Sequence, residues 1–196
     1  MPKIILITHQ KGGVGKSTLT FNLAQNIAAN SKVAVLDFDL QGSLSQLKEL
    51  VTDFEIITYQ DKLENISELD YDFIFIDTPP YLSNHLPKLI SLVDLIIVPT
   101  KAGILDLLAI KSTLAIIEQE QRIEDTLVVF NMIKPNTTLT LDILIGLEEY
   151  NVKIANTHIS DLVSFTRSVL LKGVTNDKNA QKQIDQLTTE ILLRLI

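Results

Sequence analysis

The sequence predicts an α/β fold, a mostly parallel twisted sheet with helices on both faces. Three observations carry this. Short apolar runs alternate with longer stretches of helical periodicity along all 196 residues, the pattern of strands linked by crossover helices. Several runs are continuously apolar, as strands buried on both faces are. The first run, Ile4-Ile5-Leu6-Ile7, enters a glycine-rich turn and then an amphipathic stretch from Leu19 to Ala29, which reads as strand, turn and helix.

In chain order, the apolar runs place strands at 3–8, 32–37, 54–58, 73–76, 95–98, 126–130 and 152–155. Helical spacing places helices at 16–30, 43–50, 84–92, 104–120, 139–150, 162–172 and 178–195. The last has Ile184, Leu187, Ile191, Leu192 and Leu195 on one face, an apolar stripe suited to core packing. Its acidic residues Asp185 and Glu190 beside Lys182 and Arg194 argue against a membrane-surface helix, which would have a basic flank. There is no internal repeat or linker, so residues 1–196 are expected to form one domain. Ligands of such sheets bind beyond the carboxyl ends of the strands, so functional residues are expected just after strands.

Bulk properties narrow the function. Apolar residues make up 46% of the chain, ample for one core, and the net charge is −7. An acidic chain meets nucleic acid only through a local basic patch. The absence of cysteine excludes disulfides, iron–sulfur ligation and thiol catalysis. His9, His85 and His158 are scattered without zinc-ligand spacing. The start, Met1-Pro2-Lys3, shows no leader, and no apolar run nears 18 residues, so a cytoplasmic location without membrane contact is expected.

Residues 10–18 read Gln10-Lys11-Gly12-Gly13-Val14-Gly15-Lys16-Ser17-Thr18. After a strand and before a helix this is the pattern of a P-loop NTPase. Glycines let backbone N–H groups converge on an anion, and the helix start adds unpaired N–H groups and partial positive charge. Lys16 is suited to the β- and γ-phosphates, and the Ser17 hydroxyl to Mg²⁺. The general pattern would put glycine at position 10, where this chain has Gln10 followed by Lys11.

With that second lysine the loop resembles the deviant Walker A motif of the ParA/MinD family of ATPases. The resemblance implies that Lys11 crosses a dimer interface to the nucleotide held by the other subunit. It covers essentially the whole chain and rests on two further segments. Asp37-Phe38-Asp39-Leu40-Gln41-Gly42-Ser43 is similar to the family's D-x-D-P-Q-G-[NS], departing at Leu40, where proline is usual. Either carboxylate could hold Mg²⁺ or orient water. The resemblance ties Asp39 to hydrolysis; its bland alternative is a helix cap near Ser43. Phe73-Ile74-Phe75-Ile76-Asp77 and Thr78-Pro79-Pro80 look like a Walker B strand and the turn after it, with Asp77 on Mg²⁺ through water.

Guanine reading by N-K-x-D is disfavoured. Thr100-Lys101-Ala102-Gly103 lacks the Asp, and Asn131-Met132-Ile133-Lys134 lacks Lys at its second position. Asn131 follows a strand where the family contacts adenine; its alternative is a turn-forming Asn. Residues 160–173 are similar to the late region of small ParA proteins, where basic residues bind DNA without sequence preference. Arg167 and Lys172 are the candidates here, with Lys134 and Lys178 behind them.

Taken together, the resemblance implies a small ParA-type DNA segregation ATPase with ATP and Mg²⁺ as cofactors. It would be a homodimer when ATP-bound, associated with nucleoid DNA, and stimulated by a ParB-like or adaptor protein. The chain has no helix-turn-helix extension before the loop, so operator repression is not expected. The rival readings are a ParA-like ATPase that positions a protein cargo (a chemoreceptor array or microcompartment), a metabolic ligase of the superfamily, and a binding-only protein. Retention of Lys16 and Asp39 argues against the last.

Overall fold

The computed structural model describes residues 1–39, 44–58, 65–81, 85–134 and 141–196. Seven strands are described: β1 (Lys3–Ile7), β2 (Val33–Asp37), β3 (Glu55–Thr58), β4 (Phe73–Asp77), β5 (Leu95–Thr100), β6 (Thr126–Phe130) and β7 (Lys153–Ile154). They form one sheet in the order β3-β2-β4-β1-β5-β6-β7. Every neighbouring pair is parallel. The helices are α1 (Lys16–Ala28), α2 (Leu86–Leu92), α3 (Ile104–Gln119), α4 (Leu141–Glu148), α5 (Val163–Arg167) and α6 (Lys178–Arg194).

Alternation of side chains along the strands builds a core on each face. Ile5 and Ile7 of β1 point to the side where Phe21, Leu23 and Ile27 of α1 and Ile184, Leu187 and Ile191 of α6 pack. Ile4 and Leu6 point to the other side, against Leu89 and Ile90 of α2, Ile110, Leu114 and Ile117 of α3, and Leu147 of α4. The central strands are therefore apolar through their middles, on both faces, which is why they read as continuous runs. The stripe of α6 is core: Ile184, Leu187 and Ile191 are buried, and Gln181 Nε2 donates to Asn26 Oδ1 of α1 at 2.9 Å.

Two expected helices are corrected. Of the stretch 43–50, residue 43 lies outside the described residues, and the remainder holds only a 3₁₀ turn, Ser45–Leu47. Asp37 ties this turn to the sheet, accepting from both Ser45 N (2.7 Å) and Ser45 Oγ (2.8 Å). The helix expected over 162–172 stops at Arg167. Beyond it, residues 168–172 run in turns, closed by left-handed Lys172 (φ 54°) and a six-to-one bond from Gly173 N to Ser168 O at 2.7 Å. The ends of two other expected helices, residues 84 and 139–140, lie outside the described residues, as do Leu40, Gln41, Gly42 and Ser43.

β1 lies between β4 and β5, so connections leave its neighbourhood in both directions. The sheet's topological switch is here, where open α/β sheets bind ligands. The carboxyl ends of β1, β2 and β4 bring the glycine loop, Asp37 and Asp77 to one edge, with Ile7 opposite Asp77 and Asp37 opposite Asp77 in register.

Candidate functional site

The loop between β1 and α1 is shaped by its glycines. Gly13 and Gly15 have φ of 72° and 86°, a region that costs an L-residue about 1–2 kcal/mol. A Cβ on Gly15 would also overlap Asn131 Nδ2 and sit 3.2 Å from Met132 Cε. Asn131 cannot simply turn away, because its Nδ2 donates to Val14 O at 2.8 Å. Gly15→Ala is therefore expected to distort the loop and weaken ADP binding at least about tenfold, one to two kcal/mol of strain converted to affinity. Calorimetry measures it, and a melting temperature near that of the wild type would place the damage in the loop.

Lys16 opens α1 and is buried. Its Nζ donates across the loop to Lys11 O at 3.3 Å. Burial holds its pKa below the ordinary lysine value, while Asp77 and Asp39 oppose that shift. Ser17 and Asp77 are brought together: Ser17 Oγ donates to Asp77 Oδ2 at 2.6 Å, and Thr20 Oγ1 to Asp77 Oδ1 at 3.2 Å. Asp77 is fully buried. Burial pushes its pKa up to about 7; Asp37 adds to the shift, and Ser17, Lys16 and Thr20 oppose it.

A buried carboxylate beside a hydroxyl, with Asp39 nearby enough to act on Lys16, offers hard oxygen donors for Mg²⁺. Among the described residues no group of three or more His, Cys, Asp or Glu could hold a metal by themselves. A Mg²⁺ site shares the ion between one or two protein oxygens, substrate phosphates and water; Ser17 Oγ and Asp77 Oδ2 are two oxygens brought together here. Asp37 is otherwise engaged. It accepts from Asp39 N at 3.0 Å and from Ser45 twice; the cap weighed for Asp39 near Ser43 falls on a residue outside the described ones.

Lys11 reaches away from its own loop. Its Nζ pairs with Asp106 Oδ1 at 2.6 Å, the two side chains being 37% and 12% exposed. Asp106 sits in the first turn of α3, where the helix dipole favours a carboxylate. Beside it Ile104, Leu105 and Leu108 are 71%, 73% and 59% exposed. Thr78 Oγ1 donates to Ile7 O at 3.0 Å, fixing the turn after β4 to β1.

A cavity of about 200 Å³ adjoins the loop, lined by Thr18, Asn131, Met132, Ser160, Phe165 and Thr166 among others. The segment read as a DNA-contact region thus contributes to a pocket beside the phosphate loop. Arg167 and Lys172 are exposed, as are Lys134 and Lys178. Lys172 Nζ lies 3.5 Å from Thr52 Oγ1. Asp106 and the cavity-lining Ser160, Phe165 and Thr166 escaped sequence reasoning as site residues.

Comparison with known proteins agrees with this fold. The profile of the CobQ/CobB/MinD/ParA nucleotide binding domain matches residues 5–184. A "Maintenance of carboxysome distribution protein A" from Halothiobacillus neapolitanus is 24% identical over 208 residues, spanning 96% of this chain and 95% of that protein. A plasmid partition protein from Borrelia burgdorferi, solved with AMPPNP, superposes with a TM-score of 0.77 at 24% identity over the whole of both chains. MinD in the MinC:MinD complex of Aquifex aeolicus gives a TM-score of 0.81 at 18% identity, covering 97% of this chain and 96% of that one. The two solved structures share the fold, and the profile match settles the family: the chain belongs to the CobQ/CobB/MinD/ParA nucleotide-binding family, whose ParA/MinD members are ATPases.

Proposed function

We propose that this chain is a Mg-ATP-dependent ATPase that dimerises around two nucleotides, binds DNA without sequence preference, and segregates DNA under the control of a ParB-like or adaptor partner. The observation that carries the reading is the convergence of Lys16, Ser17 and Asp77 at one glycine loop while Lys11 leaves that loop toward α3.

In this mechanism Lys16 and the N–H groups from Gly12 to Thr18 bind the phosphates, and Asn131 and the adjoining cavity take adenine. Ser17, Asp77 and Asp39 would hold Mg²⁺, which would supply positive charge against the phosphates. Asp39 orients the attacking water, whose oxygen bonds to the γ-phosphorus as the bond to the β–γ bridging oxygen breaks, leaving ADP and phosphate. Lys11 stabilises that charge in the other subunit. The exposed Ile104, Leu105 and Leu108 beside the Lys11–Asp106 pair supply apolar surface for the dimer.

Exposed Arg167 and Lys172 provide the basic patch that a chain of net charge −7 needs, and dimerisation doubles it. The location that follows is cytoplasmic, on the nucleoid. A protein cargo is a comparable second reading, favoured by the near full-length match to a carboxysome distribution protein. Filter binding to a nonspecific duplex across a salt series tests the DNA arm. Wild-type protein with ATP should bind. Arg167→Glu with Lys172→Glu should weaken binding at least about tenfold while sparing ATP affinity, because each phosphate contact releases about 0.9 counterion and the dimer presents every contact twice. Failure of wild-type protein to bind DNA at low salt would leave cargo positioning on another matrix as the better account.

A further inference from the structure

His9 ends the run into the loop and is wholly buried. Its Nδ1 accepts from the Lys11 backbone N–H at 2.9 Å. An imidazole has one acceptor only when neutral, so the ring is neutral with its proton assigned to Nε2. Burial, first, and then the charge of Lys16 push its pKa down to about 4; Asp106 opposes the shift and Lys11 adds to it. The Nε2–H finds no hydrogen-bond partner among the described residues. An unpaired buried donor costs about 1–3 kcal/mol, a cost accepted here in an orientation that keeps Nδ1 on Lys11.

The effect on Lys11 is specific. Its N–H is held by His9, and its carbonyl accepts from Lys16 Nζ at 3.3 Å. The preceding residue is fixed as well, Gln10 N donating to Thr113 Oγ1 of α3 at 3.1 Å. The backbone of Lys11 is therefore pinned on both sides, while its side chain stays partly exposed and reaches Asp106.

We infer that His9 is a positioning residue: its Nδ1 pins the Lys11 peptide, so that the Lys11 side chain is aimed out of its own loop and toward a second subunit. The catalytic consequence rests on the trans role proposed above for Lys11; the pinning itself does not.

Three substitutions separate the ring's two nitrogens. In His9→Asn the side-chain carbonyl can stand where Nδ1 is. In His9→Gln the amide lies one bond further out, near Nε2. His9→Ala removes both. Hydrogen exchange at the Lys11 amide, read by NMR in nucleotide-free protein, reports the pin without any activity. Exchange should accelerate about tenfold in His9→Ala and His9→Gln, the loss of one buried hydrogen bond, and stay near wild type in His9→Asn. Turnover should fall about tenfold in the same two variants, with ADP affinity unchanged. Equal behaviour of the Asn and Gln variants would overturn the inference, and so would unchanged Lys11 exchange in His9→Ala. If His9→Ala does not fold, the Asn and Gln pair still decides. Absence of turnover in the wild type would count against the proposed ATPase, and the exchange comparison would still judge His9.

Discussion

Lys16→Ala is expected to abolish ATP binding at ordinary concentrations. Lys16 is buried at the first residue of α1 and points across the loop onto Lys11 O. A phosphate placed on the loop would meet this ammonium in a desolvated setting, where charge-assisted hydrogen bonds are strongest. Two such bonds at about 1.5 kcal/mol each or more predict a loss of at least about 100-fold in affinity. The fold should survive, since the substitution removes a charge that burial already disfavours. Calorimetry with ATP and Mg²⁺, alongside a melting curve, reads both effects. Unchanged affinity would remove the phosphate-loop assignment.

Lys11→Ala should separate binding from catalysis. The Lys11 side chain is engaged with Asp106 of α3, so its loss should leave ADP affinity within about threefold, less than one hydrogen bond's worth. Turnover should fall at least about 100-fold, because a cation supplied in trans to a transferring phosphoryl group is worth that much or more. Dimerisation with a nonhydrolysable ATP analogue should also weaken, as phosphate charge from the two subunits would face across the interface without its counter-charge. Sedimentation velocity measures the dimer. A variant that dimerises and turns over as the wild type does would make Lys11 a surface lysine paired with Asp106 and nothing more.

What the sequence made legible was local. The glycine loop is contiguous, and its strand and helix flank it directly. Asp77 was visible because it closes an apolar strand. Contacts between distant segments were not visible. Asp106 lies 95 residues from Lys11, and Asn131 lies 117 residues from Val14. Asp106 is one of 24 acidic residues in the chain, and nothing beside it in the sequence marks a partner at Lys11. Asn131 was read for its place after a strand, with no local sign that it holds the Val14 carbonyl. His9 was set aside because no metal spacing accompanied it, yet its partner is a backbone N–H two residues away, which no side-chain pattern records. The helix expected over 162–172 stops at Arg167, while Gly173 lies beyond the expected end. Apolar residues such as Leu170 and Leu171 carry the helical periodicity past Arg167. Those two leucines are exposed.

The central claim is that ATP hydrolysis here requires two copies of the chain, each completing the other's site through Lys11. Steady-state phosphate release per chain, measured with Mg-ATP over a wide range of protein concentration, tests it most directly. The account predicts a per-chain rate that rises with concentration and levels off as the dimer fills, and no release without Mg²⁺. A per-chain rate independent of concentration would contradict it.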